Sequence, residues 1–248
     1  MAPRRFARMR IPPRDAWYEA ATFAKATVSN LRQPDRKRRV HRALRQWSFT
    51  ADGLPRAPLA ELFADIEHVR SGATPANRHF YELPYAERFV LDALIRHVGA
   101  RAIFEFGTFR GMTTKLLAET VGPGGVVHTI DLPRPPGTPE ADDPVGVELR
   151  ELRGDVAEVV EHRCDTADFD FSPLTDRFDL VFVDASHRYE DVLRDSGDAL
   201  RIVRPGGLIV WDDYQAEEPG VVRALHELAG ELAIVNVRWT RLAVLTAS

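Results

Sequence analysis

Two groups of residues in this chain have types and spacings that could do chemistry. The first is a set of aspartates behind apolar runs: Asp184 closes L-V-F-V, and Asp212 and Asp213 close L-I-V-W. Each run reads as a buried strand, so three carboxylates arrive at the ends of two neighbouring strands. Like charges gathered in one crevice repel unless a cation sits among them. Hard oxygen ligands of this kind suit Mg²⁺, with its remaining positions filled by water and substrate. The alternative gives Asp184 to a cofactor or substrate and leaves Asp212 and Asp213 as caps of the following turn. The second group is Ile103 to Thr114, I-F-E-F-G-T-F-R-G-M-T-T. Gly107 and Gly111 bracket a turn where backbone must approach a ligand closely, and the alternative is a plain strand-to-helix connection. The spacing is E-x-G-x-x-x-G, unlike the G-x-G-x-x-G of dinucleotide sites. Glu105 at the mouth of the turn would repel a diphosphate and suits a cationic or amine-bearing ligand.

The elements that must position these groups alternate. From Tyr81 on, helix and strand patterns follow one another, as in a parallel sheet wound on both faces. Phe89, Val90, Ala93, Leu94 and Val98 mark the inner face of a helix closed by Gly99. Strand, turn and helix follow over Ala102 to Val121, then a strand over Val126 to Ile130. Asp131 sits just past that strand, where an acid commonly holds a ribose diol; the alternative is a helix cap or a solvated turn acid. Leu132 to Gly146 is proline-rich and acidic and is expected to form a lid or substrate wall. Leu149 to Leu152 is expected as the third strand. Gly154, Asp155 and Val156 after it are then placed to meet an adenine, with Asp155 also able to cap a helix from Ala157. Tyr189 to Val203 reads as a helix stopped by R-P-G-G, and Ala233 to Val237 with Arg241 to Leu245 as a closing hairpin.

The chain has 248 residues, 44% hydrophobic and 28% charged, with a formal net charge of −4. That suits one α/β domain plus an appendage, and excludes a disordered chain. No apolar run approaches a membrane span. The single cysteine, Cys164, excludes an internal disulfide and suits a reducing, cytoplasmic setting. Met1 to Arg45 is strongly basic. Its apolar residues recur at helical spacing, so the arginines read as wet faces of amphipathic helices more than as a nucleic-acid arm or a transit peptide. A further helix over Leu59 to Val69 is broken at Ser71-Gly72.

As an ordered set, Glu105-Phe-Gly107-x-x-x-Gly111, Asp131, Gly154-Asp155, V-F-V-D, R-P-G-G-L-I-V-W-D-D and the closing I-V-N-V-R-W-T-R-L-A-V-L-T resemble the motifs of class I S-adenosylmethionine-dependent methyltransferases. The resemblance runs from about Tyr81 to Ser248. Within the class, the D-A-S-H and D-D pair resembles the metal-dependent small-molecule O-methyltransferases, of the catechol and macrolide-sugar types. It implies an α/β, Rossmann-like fold: a mostly parallel seven-stranded sheet with an antiparallel last strand over residues 79–248, preceded by a helical N-terminal cap over 1–78. It implies S-adenosyl-L-methionine bound by Glu105, Gly107, Thr108, Phe109, Gly111, Thr113, Asp131, Leu132, Gly154, Asp155, Val156 and Asp184. It also implies a divalent metal, Mg²⁺ by ligand type, on Asp184, Asp212 and Asp213, and His187 as the catalytic base. Ser186 stands where close relatives often carry an acid, and Asp213 where catechol-type enzymes often carry Asn. The expected partners are a small-molecule acceptor, such as a natural-product sugar or phenol, and a second copy of the chain through the N-terminal helices. No membrane and no nucleic acid are expected. The rival readings are an NAD(P)-dependent oxidoreductase on a Rossmann fold, and a non-catalytic nucleic-acid or partner-binding protein that kept the methyltransferase fold.

Overall fold

A computed structural model describes residues 51–63, 66, 83–133 and 145–248. Most of the expected N-terminal cap and of the proline-rich segment lies outside them. Five helices are described: α1 (Leu59–Leu62), α2 (Tyr85–His97), α3 (Met112–Val121), α4 (Tyr189–Ile202) and α5 (Pro219–Leu228). Eight strands form one sheet: β1 (Arg56–Ala57), β2 (Ala102–Phe106), β3 (Val126–Asp131), β4 (Glu158–Arg163), β5 (Phe178–Val183), β6 (Val203–Trp211), β7 (Val235–Val237) and β8 (Ala243–Thr246). Their spatial order is β1-β7-β8-β6-β5-β2-β3-β4. β8 runs antiparallel to both β6 and β7, and every other pairing is parallel. Seven strands therefore give the expected Rossmann-like arrangement. The eighth, from Arg56 and Ala57 within the expected cap, pairs with Asn236 and Val237 at the sheet edge.

The central strands are apolar on both faces because helices cover both. Successive residues go to opposite sides: Ile103, Leu180 and Phe182 join Leu91, Leu94 and Leu117 of α2 and α3. Phe104, Val181 and Val183 join Ala199, Ile202, Val221 and Leu225 of α4 and α5. Phe89 does not join the inner face of α2 and is 43% exposed. The sequence reading also passed over α5, although its Val221, Ala224 and Leu225 make a buried stripe.

Residues 149–152 are not a strand. Val147–Glu151 forms a 3₁₀ turn, and the strand is Glu158–Arg163, where a helix was expected. E-V-V-E-H-R has β-branched valines and charges suited to an edge strand, and it pairs with β3 from Val126↔Glu158 to Asp131↔Arg163.

At the amino-terminal end of the sheet, Asp179 ties three elements together. Its Oδ2 accepts from the backbone N–H of Arg101 (2.7 Å) and of Ala102 (2.9 Å). Its Oδ1 accepts from Arg204 Nε at 2.6 Å. Partial burial works against this carboxylate, but those three donors outweigh it and hold its pKa below the usual aspartate value.

Candidate active site

The glycine turn after β2 lies at the carboxyl end of the sheet, where ligands bind in open α/β folds. Gly107 has φ 99°, and a Cβ there would lie 2.0 Å from the backbone oxygen of Asp184, so only glycine lets this turn pass beside the end of β5. Gly111 caps α3, and Thr113 sits half-buried in its first turn. Glu105, fully buried on β2, takes hydrogen bonds on Oε2 from Thr114 Oγ1 (2.5 Å) and Thr129 Oγ1 (2.6 Å). Its Oε1 is buried with no hydrogen-bond partner among the described residues. Burial raises its pKa to about 8, despite the two threonine bonds that act to lower it; Asp131 adds to the rise. A buried, half-satisfied carboxyl of this kind fits a ligand that brings a donor, such as an α-amine.

Around it, Thr108 Oγ1 lies 2.7 Å from Thr129 Oγ1, and the backbone N–H of Phe109 donates to Asp131 Oδ2 at 2.6 Å. Asp131 ends β3, Leu132 follows it with 55% exposure, and Asp184 N–H continues the ladder to Phe106 O at 2.9 Å. Glu105, Gly107, Thr108, Phe109, Gly111, Thr113, Asp131, Leu132 and Asp184 thus gather along the carboxyl ends of β2, β3 and β5. Gly154, Asp155 and Val156 do not. They precede β4, where Ala157 N–H bonds Ala118 O and Glu158 N–H bonds Gly125 O, at the amino-terminal end of the sheet. A six-residue strand, roughly 20 Å long, separates them from the Asp131 end. The misplaced strand caused this: the segment that follows β4 on the ligand side is Cys164 to Ala167, where Asp165 accepts from Ala167 N–H at 2.9 Å.

Beyond β5 and β6 lie the acids. Asp184, His187 and Asp213 each offer a ligand atom, and these atoms lie within 4.8 Å of one another. His187 Nε2 sits 2.9 Å from Asp213 Oδ2, and Nδ1 3.0 Å from Glu218 Oε2. The first of these contacts, helped by the surrounding carboxylates, raises the His187 pKa although burial opposes it. Gly220 makes room for this histidine: a Cβ there would lie 2.1 Å from His187 O. Ser186 Oγ donates to Asp191 Oδ2 at 2.7 Å and accepts from Arg188 N–H at 3.2 Å, so the serine in place of an acid serves the start of α4.

Asp212 and Asp213 are both buried. Asp212 Oδ2 takes a 3.3 Å bond and Asp213 Oδ1 a 2.6 Å bond from the Arg241 guanidinium. Arg241 is itself held by Glu87 of α2. Burial first, then Asp212 and Asp213, pushes the Asp184 pKa well up. Asp212 is also raised, by burial and by Asp213, with Arg241 opposing. Asp213 is lowered, because its bonds from His187 and Arg241 outweigh burial. Asp184 and Asp213, with the His187 imidazole in reach, form a group that could hold a divalent cation, whereas Asp212, the third expected ligand, falls outside that group and faces Arg241. Arg241, Glu87 and Glu218 were not singled out in the sequence, since nothing near them in the chain marks them as partners of D-D or of His187.

A family model described as a methyltransferase domain matches residues 104–214. No curated protein matches the chain. Among solved structures, the cofactor-bound Rv0187 protein from MTB is 25% identical with a TM-score of 0.53; the match covers 68% of this chain and 83% of that one. A Klebsiella pneumoniae protein assigned as an O-methyltransferase is 20% identical with a TM-score of 0.52, covering 68% and 84%. The second likeness is one of fold alone. The family match, together with Glu105 in place of a diphosphate-binding glycine, displaces the oxidoreductase reading. Over residues 104–214, then, the chain is similar to a methyltransferase domain.

Proposed function

We propose that the domain methylates a hydroxyl oxygen of a small molecule, such as a natural-product sugar or a phenol, with a divalent ion, Mg²⁺ by ligand hardness, at the acid cluster. The observation that carries this reading is the meeting, within 4.8 Å, of two acids that could hold an ion, Asp184 and Asp213, with an imidazole that could take a proton, His187. S-adenosylmethionine supplies a sulfonium methyl, already a reactive donor, so alignment accounts for much of the catalysis. On this reading Glu105 receives the methionine amine, Asp131 the ribose, and Gly107 keeps the backbone out of the way. Asp184 and Asp213, with Asp212 as the third acid, would hold the ion, which lowers the acceptor pKa and orients it.

His187 takes the acceptor proton as the methyl moves. Measured from the ordinary imidazole value the mismatch with a sugar hydroxyl is about nine pH units, on the order of 12 kcal/mol for deprotonation beforehand, and the carboxylates that raise the His187 pKa act to narrow it. His187 alone therefore cannot make the alkoxide, and a phenol narrows the gap to about 3.5 units.

The test is incubation of hydroxyl acceptors with methyl-labelled cofactor, with and without chelator. His187→Ala is expected to lower turnover by about 10²- to 10⁴-fold with cofactor affinity unchanged. Asp212→Ala should mimic chelation and lose little more when chelator is added. Full activity in chelator, with a silent His187→Ala, would leave a methyltransferase that works without the metal. Bound cofactor with no labelled product from any hydroxyl would overturn the acceptor class.

A further inference from the structure

We propose that Arg241, locked by Glu87, is the positioning residue of the acid cluster: it holds one oxygen of each β6 acid so that Asp213 presents its other oxygen to the reacting edge. The inference rests on the preceding reading of those acids as the ion site. Arg241 lies in the turn that leads into β8, and its side chain is only 18% exposed. From Glu87, which is 2% exposed, it draws three contacts. Backbone N–H and Nε donate to Oε1 at 2.8 and 3.1 Å, and one terminal nitrogen donates to Oε2 at 2.9 Å.

The adjoining edge of the same planar group, Nη1 and Nη2, faces the acids. Nη1 donates to Asp213 Oδ1 at 2.6 Å, and Nη2, the nitrogen that also donates to Glu87, reaches Asp212 Oδ2 at 3.3 Å. That leaves Asp213 Oδ2 on His187, and Asp212 Oδ1 buried with no hydrogen-bond partner among the described residues. Asp213 also has φ 59°, a left-handed conformation uncommon for a non-glycine residue, and the clamp helps hold it there. The backbone adds one more tie, Tyr214 N–H to Arg241 O at 2.9 Å.

A rigid fork can orient two adjacent carboxylates at once, whereas a lysine ammonium is a point charge that reaches one or the other. Arg241 touches neither acceptor nor methyl donor in this scheme and acts only through Asp212 and Asp213. Removal of such an outer partner typically costs 10- to 100-fold in metal affinity or activity.

The test compares Arg241→Met, Arg241→Lys and Glu87→Gln with the unaltered chain. It measures Mn²⁺ affinity by electron paramagnetic resonance, S-adenosylmethionine affinity by calorimetry, kcat and KM for a hydroxyl acceptor that the unaltered chain methylates, and folding by circular dichroism. The expected result for Arg241→Met is Mn²⁺ bound about 10- to 100-fold more weakly and kcat lowered to a similar degree. Cofactor affinity should stay within about twofold, since Glu105 and Gly107 lie on other elements. Arg241→Lys should recover only a minor part, and Glu87→Gln should move the same quantities less far. Unaltered Mn²⁺ affinity and kcat in folded Arg241→Met would overturn the inference; if that variant does not fold, unaltered values in Arg241→Lys would do so. An unaltered chain that binds cofactor but no Mn²⁺ would instead remove the ion reading, and the positioning role with it.

Discussion

The role proposed for Glu105 would couple cofactor binding to protons. In the folded chain its pKa is raised to about 8, chiefly by burial, so near neutrality the carboxyl is mostly protonated. The unfolded chain binds fewer protons on this group between its ordinary pKa and about 8, so ionising it costs stability as pH rises through that window. A cationic amine at Oε1 would pull the pKa back down. We therefore expect S-adenosylmethionine binding at pH 7 to release up to one proton, and binding at pH 9 to release almost none. Calorimetry in two buffers of different ionisation heat measures this directly. Glu105→Gln should abolish the release and weaken binding; identical heats in both buffers at pH 7 would show that the amine lies elsewhere.

At the scale of elements, the Gly107 turn borders the proposed cofactor site and also packs against the end of β5. A side chain there would strike the backbone of Asp184, not a flexible tip, so Gly107→Val cannot act on cofactor binding alone as a simple reading of the motif would have it. The expected cost of Gly107→Ala is about 1 to 3 kcal/mol of stability in urea unfolding, from the positive φ and the overlap together. Loss of cofactor affinity with unchanged unfolding would contradict the close approach. The turn, Asp131 and the strand-end acids were legible because each is a contiguous motif at the close of an apolar run. The third strand was not: Leu149 to Leu152 is apolar enough to pass for one, while β4 hides its valines between charges at the sheet edge. Arg241 and Glu87 were beyond a sequence reading for another reason. They lie 154 positions apart, and only the packing of α2 beside the β7–β8 turn brings them together.

Across the whole molecule, β3 and β4 carry a pair of histidines whose effect reaches overall stability. His128 Nδ1 lies 3.1 Å from His162 Nε2, among Phe104, Phe169 and Phe178. Burial lowers both pKa values, and for His128 the neighbouring His162 lowers it further while Glu158 opposes. Below the ordinary histidine pKa the unfolded chain binds more protons than the folded one, so stability should fall as pH drops below about 6.5. Urea unfolding at pH 7.5 and 5.5 should show that loss, and His162→Phe should flatten it; an equal slope in the variant would place the acid sensitivity elsewhere. Among the described residues, no helix is long and apolar enough to cross a membrane.

The Asp179 knot has a consequence for how such a protein can change. It secures the starts of β2, β5 and β6 with bonds that involve none of the carboxyl-end loops. The base of the sheet is thus fastened independently of the rim where ligands sit. Rim segments could be exchanged for those of a protein of the same fold, and a new ligand taken up, while the base kept the strands in order.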